Sequence, residues 1–323
     1  MSAPILLVNF GGPRNGEEIE PFLKELLCDP DVIRTRFPKW LHDWFFKRVA
    51  KKRALKIRND YERIGFSPIY GDTEGLRLAL EQASPSPILT FHRYLPSTHE
   101  NSLRQIEERP ESQIRALPLF PQFCYGTTGS VARFFSKRLS PATLAKLHWV
   151  KSYADHPSFI EAWQKRITRF IAEKNLKSEE ICLFFSAHGV PQAFIDGGDP
   201  YKEECERSFH AVMKGFPNIP ARLAYQSKFG RGEWLRPYTD EECKKPFTWA
   251  GSRKHVVFVP ISFTSDHIET LFEIEELYLP LVRAQGLQAH RCPALNRDPA
   301  WLTALRIIAD HPTVSPNHAL IRN

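Results

Sequence analysis

The stretch that decides the fold is Ile181–Pro191, which reads ICLFFSAHGVP. Five mostly apolar residues run directly into a Ser-Ala-His-Gly segment that is followed by a proline. A continuous apolar run of this length, closed by glycine and proline, is typical of a buried strand in a parallel sheet. His188 then follows the carboxyl end of that strand, which is where ligands bind in open α/β sheets. The alternative is a loop histidine that only hydrogen-bonds its neighbours, and the rest of the chain decides between the two.

Composition and charge limit the class of protein. The 323 residues are 25% charged and 42% hydrophobic, as in soluble globular proteins, and are enough for one large or two ordinary domains. No apolar run approaches the roughly 20 residues that span a bilayer, and the first residues lack the charged segment of a signal peptide. We therefore expect a cytoplasmic protein. The net charge of +7 favours anionic partners, although no nucleic-acid partner is predicted.

The cysteines do not form a recognisable framework. Six are scattered through the chain and none is part of a C-x-x-C pair, so neither a zinc site nor a disulfide network is indicated. Reduced thiols in a cytosolic protein are the simplest interpretation. The six are Cys28, Cys124, Cys182, Cys205, Cys243 and Cys292.

Strand and helix patterns alternate along the chain, which predicts parallel sheets flanked by helices. The predicted strands are 5–10, 88–94, 114–119, 147–153, the strand that begins at 181, 222–226, 256–261 and 287–292. The predicted helices are 17–27, 37–56, 73–82, 100–108, 127–138, 159–173, 201–214, 266–282 and 299–309. Two such cycles predict two similar α/β lobes with a cleft between them. The first is 1–153, joined by the C-terminal segment 299–323, and the second is 154–298.

Residues 37–56 combine aromatic and basic side chains in one helical pattern. Phe37, Trp40, Trp44 and Phe45 are interleaved with a run of lysines and arginines between 47 and 56. A basic amphipathic helix with tryptophans is typical of contact with an anionic membrane surface. The alternative is a helix that packs its aromatic side chains on the core and solvates its lysines.

An acidic stretch, SDHIETLFEIEEL at 265–277, opens the last helix of the second cycle. With a 100° step its acids fall on one face, which suits a divalent cation because carboxylates bind hard or borderline ions. Those acids are Asp266, Glu269, Glu273 and Glu276. Two alternatives compete: a capping box formed by Asp266 and Glu269, and a solvated outer face.

A histidine at one strand end that faces a glutamate at another is an acid–base arrangement. Neither a nucleophile elbow nor a phosphate-binding loop accompanies it. The residues therefore indicate proton transfer and metal handling without a covalent intermediate.

Six motifs, in order, strongly resemble those of ferrochelatases, the enzymes that insert ferrous iron into a porphyrin. They are NFGGP, FPQFCYGTTGS, FSAHGVP, GDPY, YQSKFGRGEWLRPYTDE and PISFTSDHIETLFE. The resemblance covers nearly the whole chain and implies two Rossmann-like lobes around a porphyrin cleft. It also implies that Fe²⁺ is a substrate, inserted into protoporphyrin IX or coproporphyrin III with release of two protons. The alternatives are another tetrapyrrole chelatase and a non-catalytic haem or metal carrier.

The resemblance also implies roles for individual residues. It makes His188 and Glu269 the catalytic pair, and either one takes protons while the other helps to deliver iron. The predicted metal-binding residues are His188, Glu269, Asp266, His267 and Glu273. Leu277 stands where the family has a further acid, with Glu276 one position away. The predicted porphyrin contacts are Phe10, Arg53, Tyr61, Arg93, Tyr94, Ser227 and Trp234.

Two further expectations come from the resemblance. Some ferrochelatases hold a [2Fe–2S] cluster on four cysteines, three of them in a C-terminal extension. This chain has no cysteine after Cys292, and Tyr125 stands at the place of the fourth ligand with Cys124 beside it, so no cluster is expected. The aromatic segment around Trp40 matches the lip of the family's active site, which favours peripheral contact with an anionic membrane.

Overall fold

The computed structural model describes residues 3–230 and 232–322. Arg231, inside the YQSKFGRGEW segment, and Asn323, at the end of the predicted segment 299–323, lie outside the described residues. None of the helices in the described part is both long enough and apolar enough to cross a membrane. The strands, in chain order, are β1 (Ile5–Asn9), β2 (Ile88–His92), β3 (Ile114–Pro118), β4 (Leu147–Trp149), β5 (Ile181–His188), β6 (Ala221–Gln226), β7 (His255–Val259), β8 (Gln288–Arg291) and β9 (Ser315–Pro316).

Helices connect these strands and cover the sheets. The α-helices are α1 (Ile19–Leu27), α2 (Lys39–Arg63), α3 (Ile69–Ala83), α4 (His99–Glu107), α5 (Ser130–Ser136), α6 (Pro141–Lys146), α7 (Pro157–Glu173), α8 (Gln192–Asp196), α9 (Tyr201–Met213), α10 (Thr239–Cys243), α11 (Phe247–Ala250), α12 (Leu279–Arg283) and α13 (Pro299–Ala309). Two segments are π-helical, Tyr125–Gly129 and Glu269–Tyr278, and two are 3₁₀-helical, Pro96–Thr98 and Asn317–Leu320.

The first sheet has the order β2-β1-β3-β4-β9. Its first four strands are parallel, whereas β9 pairs antiparallel with β4. Apolar side chains from the sheet, including Val8 and Phe91, pack with Phe135 of α5 in a dry core. Parallel strands covered in this way carry apolar residues along their whole length, as β1 does.

The second sheet has the order β6-β5-β7-β8, and all of its strands are parallel. β5 lies between β6 and β7, which explains why its apolar run is continuous rather than alternating. The register places His188 opposite Gln226 at the carboxyl ends of β5 and β6. The carboxyl ends of β5 and β6 therefore carry the polar residues His188 and Gln226 side by side.

The chain divides into two compact units. One contains Met1–Ser152 with Arg306–Asn323, and the other contains Tyr153–Leu305. The prediction assigned all of 299–323 to the first lobe, whereas in the structure the division falls inside α13. The predicted fold class, two α/β lobes that each have a parallel sheet flanked by helices, is confirmed.

Several strands end earlier than predicted, and a proline lies near two of these ends. β7 stops at Val259 rather than at 261, because Pro260 has no N–H to extend the ladder. β4 stops at Trp149 rather than at 153. Trp149 pairs with Ala116, and β3 ends two residues later at Pro118, another residue without a donor.

The acidic segment is not the α-helix that the sequence predicted. Glu269–Tyr278 is a π-helix, and only Leu279–Arg283 continues it as an α-helix. Hydrogen bonds in a π-helix run from i to i+5, so the 100° step does not apply and the acids do not form one straight line. Glu276 is exposed, whereas Glu269 and Glu273 are part-buried. The predicted single acidic face is therefore wrong at its outer end.

Candidate active site

His188 ends β5 and is held by two contacts in the same unit. Its backbone N–H donates to Ser262 Oγ at 3.0 Å, and its ring Nδ1 lies 2.5 Å from the carbonyl oxygen of Gly189. A carbonyl oxygen only accepts, so Nδ1 carries the proton and the neutral ring keeps its lone pair on Nε2. Burial lowers the pKa of His188, although the charge of Glu269 opposes the shift. The ring is thus a neutral imidazole near pH 7.

Glu269 forms an ion pair with His267 at the start of the π-helix. Nδ1 of His267 lies 2.5 Å from Oε2 of Glu269. Burial raises the pKa of Glu269, but the charge and hydrogen bond of His267 outweigh it and bring the pKa to about 2. Burial lowers the pKa of His267, but the charge and hydrogen bond of Glu269 raise it more, so the pKa is raised from its ordinary value. The pair therefore joins a carboxylate to an imidazole whose protonated form that carboxylate stabilises.

Glu273 is a carboxyl group of a different kind. Its Oε2 accepts hydrogen bonds from Ser227 Oγ at 2.6 Å, Gln226 Nε2 at 3.2 Å and the hydroxyl of Tyr278 at 3.4 Å. Burial raises the pKa of Glu273, and the nearby charge of Glu269 raises it further, to about 7. Two glutamates one turn apart therefore titrate far from each other, which is the pattern of groups with separate acid–base roles.

Aromatic rings border these polar groups. Phe263 meets both histidines edge-on, with ring centroids 6.3 Å from His188 and 4.7 Å from His267. Trp234 forms an isolated β-bridge with Pro191. A Cβ added at Gly189 would lie 2.7 Å from the backbone carbonyl oxygen of Gln226, so glycine after the histidine lets the end of β5 lie close to β6.

Asp266 is held in place by contacts within its own unit. Oδ1 accepts from Thr270 Oγ1 and from Arg291 Nη1, both at 2.8 Å, and Oδ2 accepts from Asn296 Nδ2 at 2.8 Å. Both oxygens are therefore engaged by donors that fix the start of the π-helix. This geometry favours the alternative in which Asp266 anchors the helix start, although its partners differ from those of the predicted capping box.

The predicted metal-binding residues do not form one preformed cluster. Within 3–230 and 232–322, no group of three or more His, Cys, Asp or Glu side chains has a geometry that could hold a metal ion. The contacts described above instead join His267 to Glu269, Asp266 to Arg291 and Asn296, and Glu273 to Ser227 and Gln226. Iron is a substrate in the predicted reaction, so a permanent centre is not required for it.

In the other unit, Phe10 lies beside Tyr94, with ring centroids 4.5 Å apart. The hydroxyl of Tyr94 donates to Asp29 Oδ2 at 3.0 Å, and Arg93 Nη2 donates to the same oxygen at 2.8 Å. Arg93 and Tyr94 are both buried, and their polar groups bind the Asp29 carboxylate. Tyr94 packs against the Phe10 ring, the guanidinium of Arg93 lies over the Tyr94 ring, and Phe10 is the part-buried member of the group.

The remaining predicted porphyrin contacts lie on α2 and β6. Tyr61 is only 3% exposed and is a core residue of its unit, whereas Arg53 is part-buried. Ser227 adopts a positive φ of 64°, a conformation that is uncommon for a residue other than glycine. That turn places its hydroxyl against Glu273. The predicted site residues include Ser227. They do not include its neighbour Gln226, nor Ser262 and Phe263.

Comparisons with known proteins show the family of the chain. A family profile described as Ferrochelatase matches residues 3–312. The ferrochelatase of Chlamydia caviae is 42% identical over 324 residues and covers 100% of both chains. That of Chlamydia abortus matches equally, at 42% over 324 residues and 100% of both chains.

Solved structures share the fold at much lower identity. SirB from Bacillus subtilis with Fe³⁺ has a TM-score of 0.55 at 11% identity and covers 96% of each chain. The sirohydrochlorin chelatase SirB from subspecies spizizenii, in complex with cobalt, has a TM-score of 0.51 at 11% identity and covers 97% of each. Fold and relatives define a metal chelatase that acts on a tetrapyrrole. The chain belongs to the ferrochelatase family, which confirms the predicted resemblance.

Proposed function

We propose that the chain inserts ferrous iron into protoporphyrin IX or coproporphyrin III and releases two protons. The observation that supports this most is the pairing of a neutral His188 with an anionic Glu269 in one unit. Metallation removes two pyrrole protons and admits a dication, so it needs a base and a group that tolerates positive charge nearby. Both kinds of group are available near pH 7, because the pKa of His188 lies below its ordinary value and that of Glu269 is about 2.

The two roles are open to either residue. The lone pair on Nε2 of His188 suits a pyrrole proton or a borderline cation such as Fe²⁺ equally. Glu269 is the anionic partner of His267 and suits the same tasks. Glu273, with a pKa of about 7, is a further proton acceptor one turn along the π-helix. Asp266 is assigned an anchoring role instead of a ligand role, because both of its oxygens already accept hydrogen bonds.

Porphyrin contact is proposed for the part-buried members of the predicted set. Trp234 and Ser227 lie in the unit that carries His188, and Phe10 and Arg53 lie in the other unit. Arg93 and Tyr94 act through Phe10, since the Asp29 ion pair already uses their polar groups. Favouring a puckered ring would stabilise the transition state more than the ground state, because a flat ring shields its nitrogens.

Peripheral contact with an anionic membrane is proposed for α2 and the residues before it. Trp40 is 72% exposed and Trp44 is 51% exposed, so these rings do not pack in the core. The guanidinium of Arg48 lies 4.1 Å from the Trp44 ring centroid, and several lysines follow it. Exposed aromatic rings beside basic side chains suit the interface of an anionic leaflet.

The test is metallation of the two porphyrins in parallel. The purified full chain is mixed anaerobically with Fe²⁺ and either protoporphyrin IX or coproporphyrin III, and the Soret band is followed. We expect the band to shift to that of the metallated ring, and the ratio of kcat/KM values identifies the substrate. Binding of porphyrin without a shift, with any of these metal and ring combinations, would contradict the enzymatic proposal and favour a carrier.

A further inference from the structure

One buried amide contacts two glutamates of the π-helix, Glu269 and Glu273. Gln226, the last residue of β6, is 2% exposed. Its Nε2 lies 2.8 Å from the backbone carbonyl oxygen of Glu269 and 3.2 Å from Oε2 of Glu273. Gln226 is also the register partner of His188 across the sheet. We propose that Gln226 is a positioning residue that holds Glu269 and Glu273 at a set separation next to His188; this inference rests on the proposed function.

The orientation of the amide follows from its partners. Oε1 of Gln226 accepts a 2.6 Å hydrogen bond from the hydroxyl of Ser186 on β5, and that hydroxyl lies 3.3 Å from Thr239 Oγ1. A flipped amide would place its oxygen against a carbonyl oxygen, which only accepts, and against a carboxylate, which only accepts when it is ionised. The two N–H groups of the amide therefore point to the π-helix, one for each acceptor.

The two bonds act on different parts of the glutamates. The bond to the Glu269 carbonyl fixes the backbone at the first residue of the π-helix, from which the Glu269 side chain projects. The bond to Glu273 fixes a side-chain oxygen one turn later. Since Ser186 ties the same amide to the strand that ends at His188, the three candidate groups share one buried connection. A misplacement of about 1 Å in such a set costs up to about a hundredfold in rate.

Gln226→Met is the direct test, because methionine has nearly the same length and no donor. We expect kcat to fall by about tenfold to a hundredfold. Porphyrin affinity without metal, measured by quenching of the protein's fluorescence, should stay within about twofold. Ser186→Ala, which leaves the amide without the bond that orients it, should lower kcat in the same direction by a smaller factor.

The matched control is Gln164→Met in the same unit. Gln164 Nε2 also donates to a backbone carbonyl, that of Val212 at 3.1 Å. In the described structure it contacts neither Glu269 nor Glu273. We expect a loss of melting temperature similar to that of Gln226→Met and an unchanged kcat. The comparison separates a positioning role from a general loss of stability.

Each outcome decides the inference. A folded Gln226→Met variant that keeps kcat within about twofold overturns it, and so does one that loses porphyrin affinity in proportion to rate. If Gln226→Met fails to fold, an unchanged kcat in Ser186→Ala overturns it, and a selective loss of kcat supports it. A wild-type protein that metallates neither porphyrin overturns the proposed function itself, which is a different result from an active wild type with an equally active variant.

Discussion

The ion pair between Glu269 and His267 makes a residue-scale prediction about charge. Glu269→Gln removes the carboxylate that raises the pKa of His267, and it keeps a side chain of nearly the same size. We expect the metallation rate to fall by about 10²–10⁴ while the melting temperature changes little. The measurement is paired: initial rate and melting temperature of the same preparation.

Glu275→Gln is the matched control for this variant. Glu275 lies on the same π-helix, and its ion pair is with Arg291 Nε at 2.9 Å rather than with His188. The Glu275→Gln variant should keep the metallation rate of the wild type. A Glu269→Gln variant that loses melting temperature but keeps its rate within a few-fold would mean that Glu269 only stabilises the helix start.

Glu273 makes a prediction about pH. The pKa of Glu273 is raised to about 7 in the folded protein, above the ordinary value of 4.5, so the folded state holds its proton more tightly than the unfolded state. The charged form is costly to bury, so the fold loses stability as pH rises from the ordinary pKa of 4.5 through the folded-state pKa of about 7. Glu273→Gln removes this cost. The melting temperature of the variant minus that of the wild type should increase between pH 5 and pH 8, and a flat or falling difference would contradict the raised pKa.

The sequence predicts some of these residues and not others. His188 and Glu269 follow from strand ends and motifs, because both lie where a parallel sheet presents ligand-binding groups. The anchoring of Asp266 was not predictable, since its partners Arg291 and Asn296 lie 25 and 30 residues away in sequence. Gln226 was visible only as a polar residue before Ser227, and its role depends on contacts across the fold.

At the scale of elements, the type of the acidic helix could not be read from the pattern. Its buried residues Thr270, Ile274 and Tyr278 are spaced by four. That spacing fits an α-helix of 3.6 residues per turn and also a wider π-turn, so apolar periodicity does not separate them. The position of the helix was predicted correctly, and the angular placement of its acids was not.

The helix α2 makes the element-scale prediction. Trp40→Ser combined with Trp44→Ser should weaken binding to vesicles of anionic lipid and slow the use of porphyrin delivered from those vesicles. Binding by the wild type should fall as salt rises, because exposed charges are screened over about 10 Å at 0.1 M. The rate with detergent-solubilised porphyrin should change less, since His188 and Glu269 are untouched. Vesicle sedimentation and the two rates are the measurements.

Phe247→Ser supplies the control, because Phe247 is an exposed aromatic residue in the other unit. It should leave vesicle binding unchanged. Equal losses in the vesicle and detergent assays for the tryptophan variant would mean that these rings contact substrate or core, and the membrane proposal would then be dropped.

At the scale of the whole molecule, the cysteines make a prediction about cofactors. Five of the six are buried, Cys28 is part-buried, and all six are free thiols. Burial raises the pKa of the thiols of Cys182 and Cys292 to about 12, so they stay protonated, whereas cluster ligands are thiolates. We expect protein purified without oxygen to contain neither stoichiometric iron nor acid-labile sulfide. Detection of both in equal amounts would contradict the prediction.

The two-unit organisation was largely predictable from the alternation of strands and helices. Long apolar strands such as β5 and the helices between them fix the class of fold without any contact information. The point at which the chain re-enters the first unit was not predictable. α13 has one continuous helical pattern, and yet it spans the division between Leu305 and Arg306. Which unit each half of that helix joins depends on packing, which the pattern does not contain.

The most direct test of the central claim is metallation by the wild type and by His188→Ala, with His210→Ala as the matched control. His210 is an exposed histidine on α9 in the same unit. Initial rates are measured from the Soret band with Fe²⁺ and the preferred porphyrin, beside a melting curve for each protein. We expect His188→Ala to keep its fold and to lose about 10²–10⁴ in metallation rate. His210→Ala should match the wild type. A folded His188→Ala variant with near-normal turnover would contradict it.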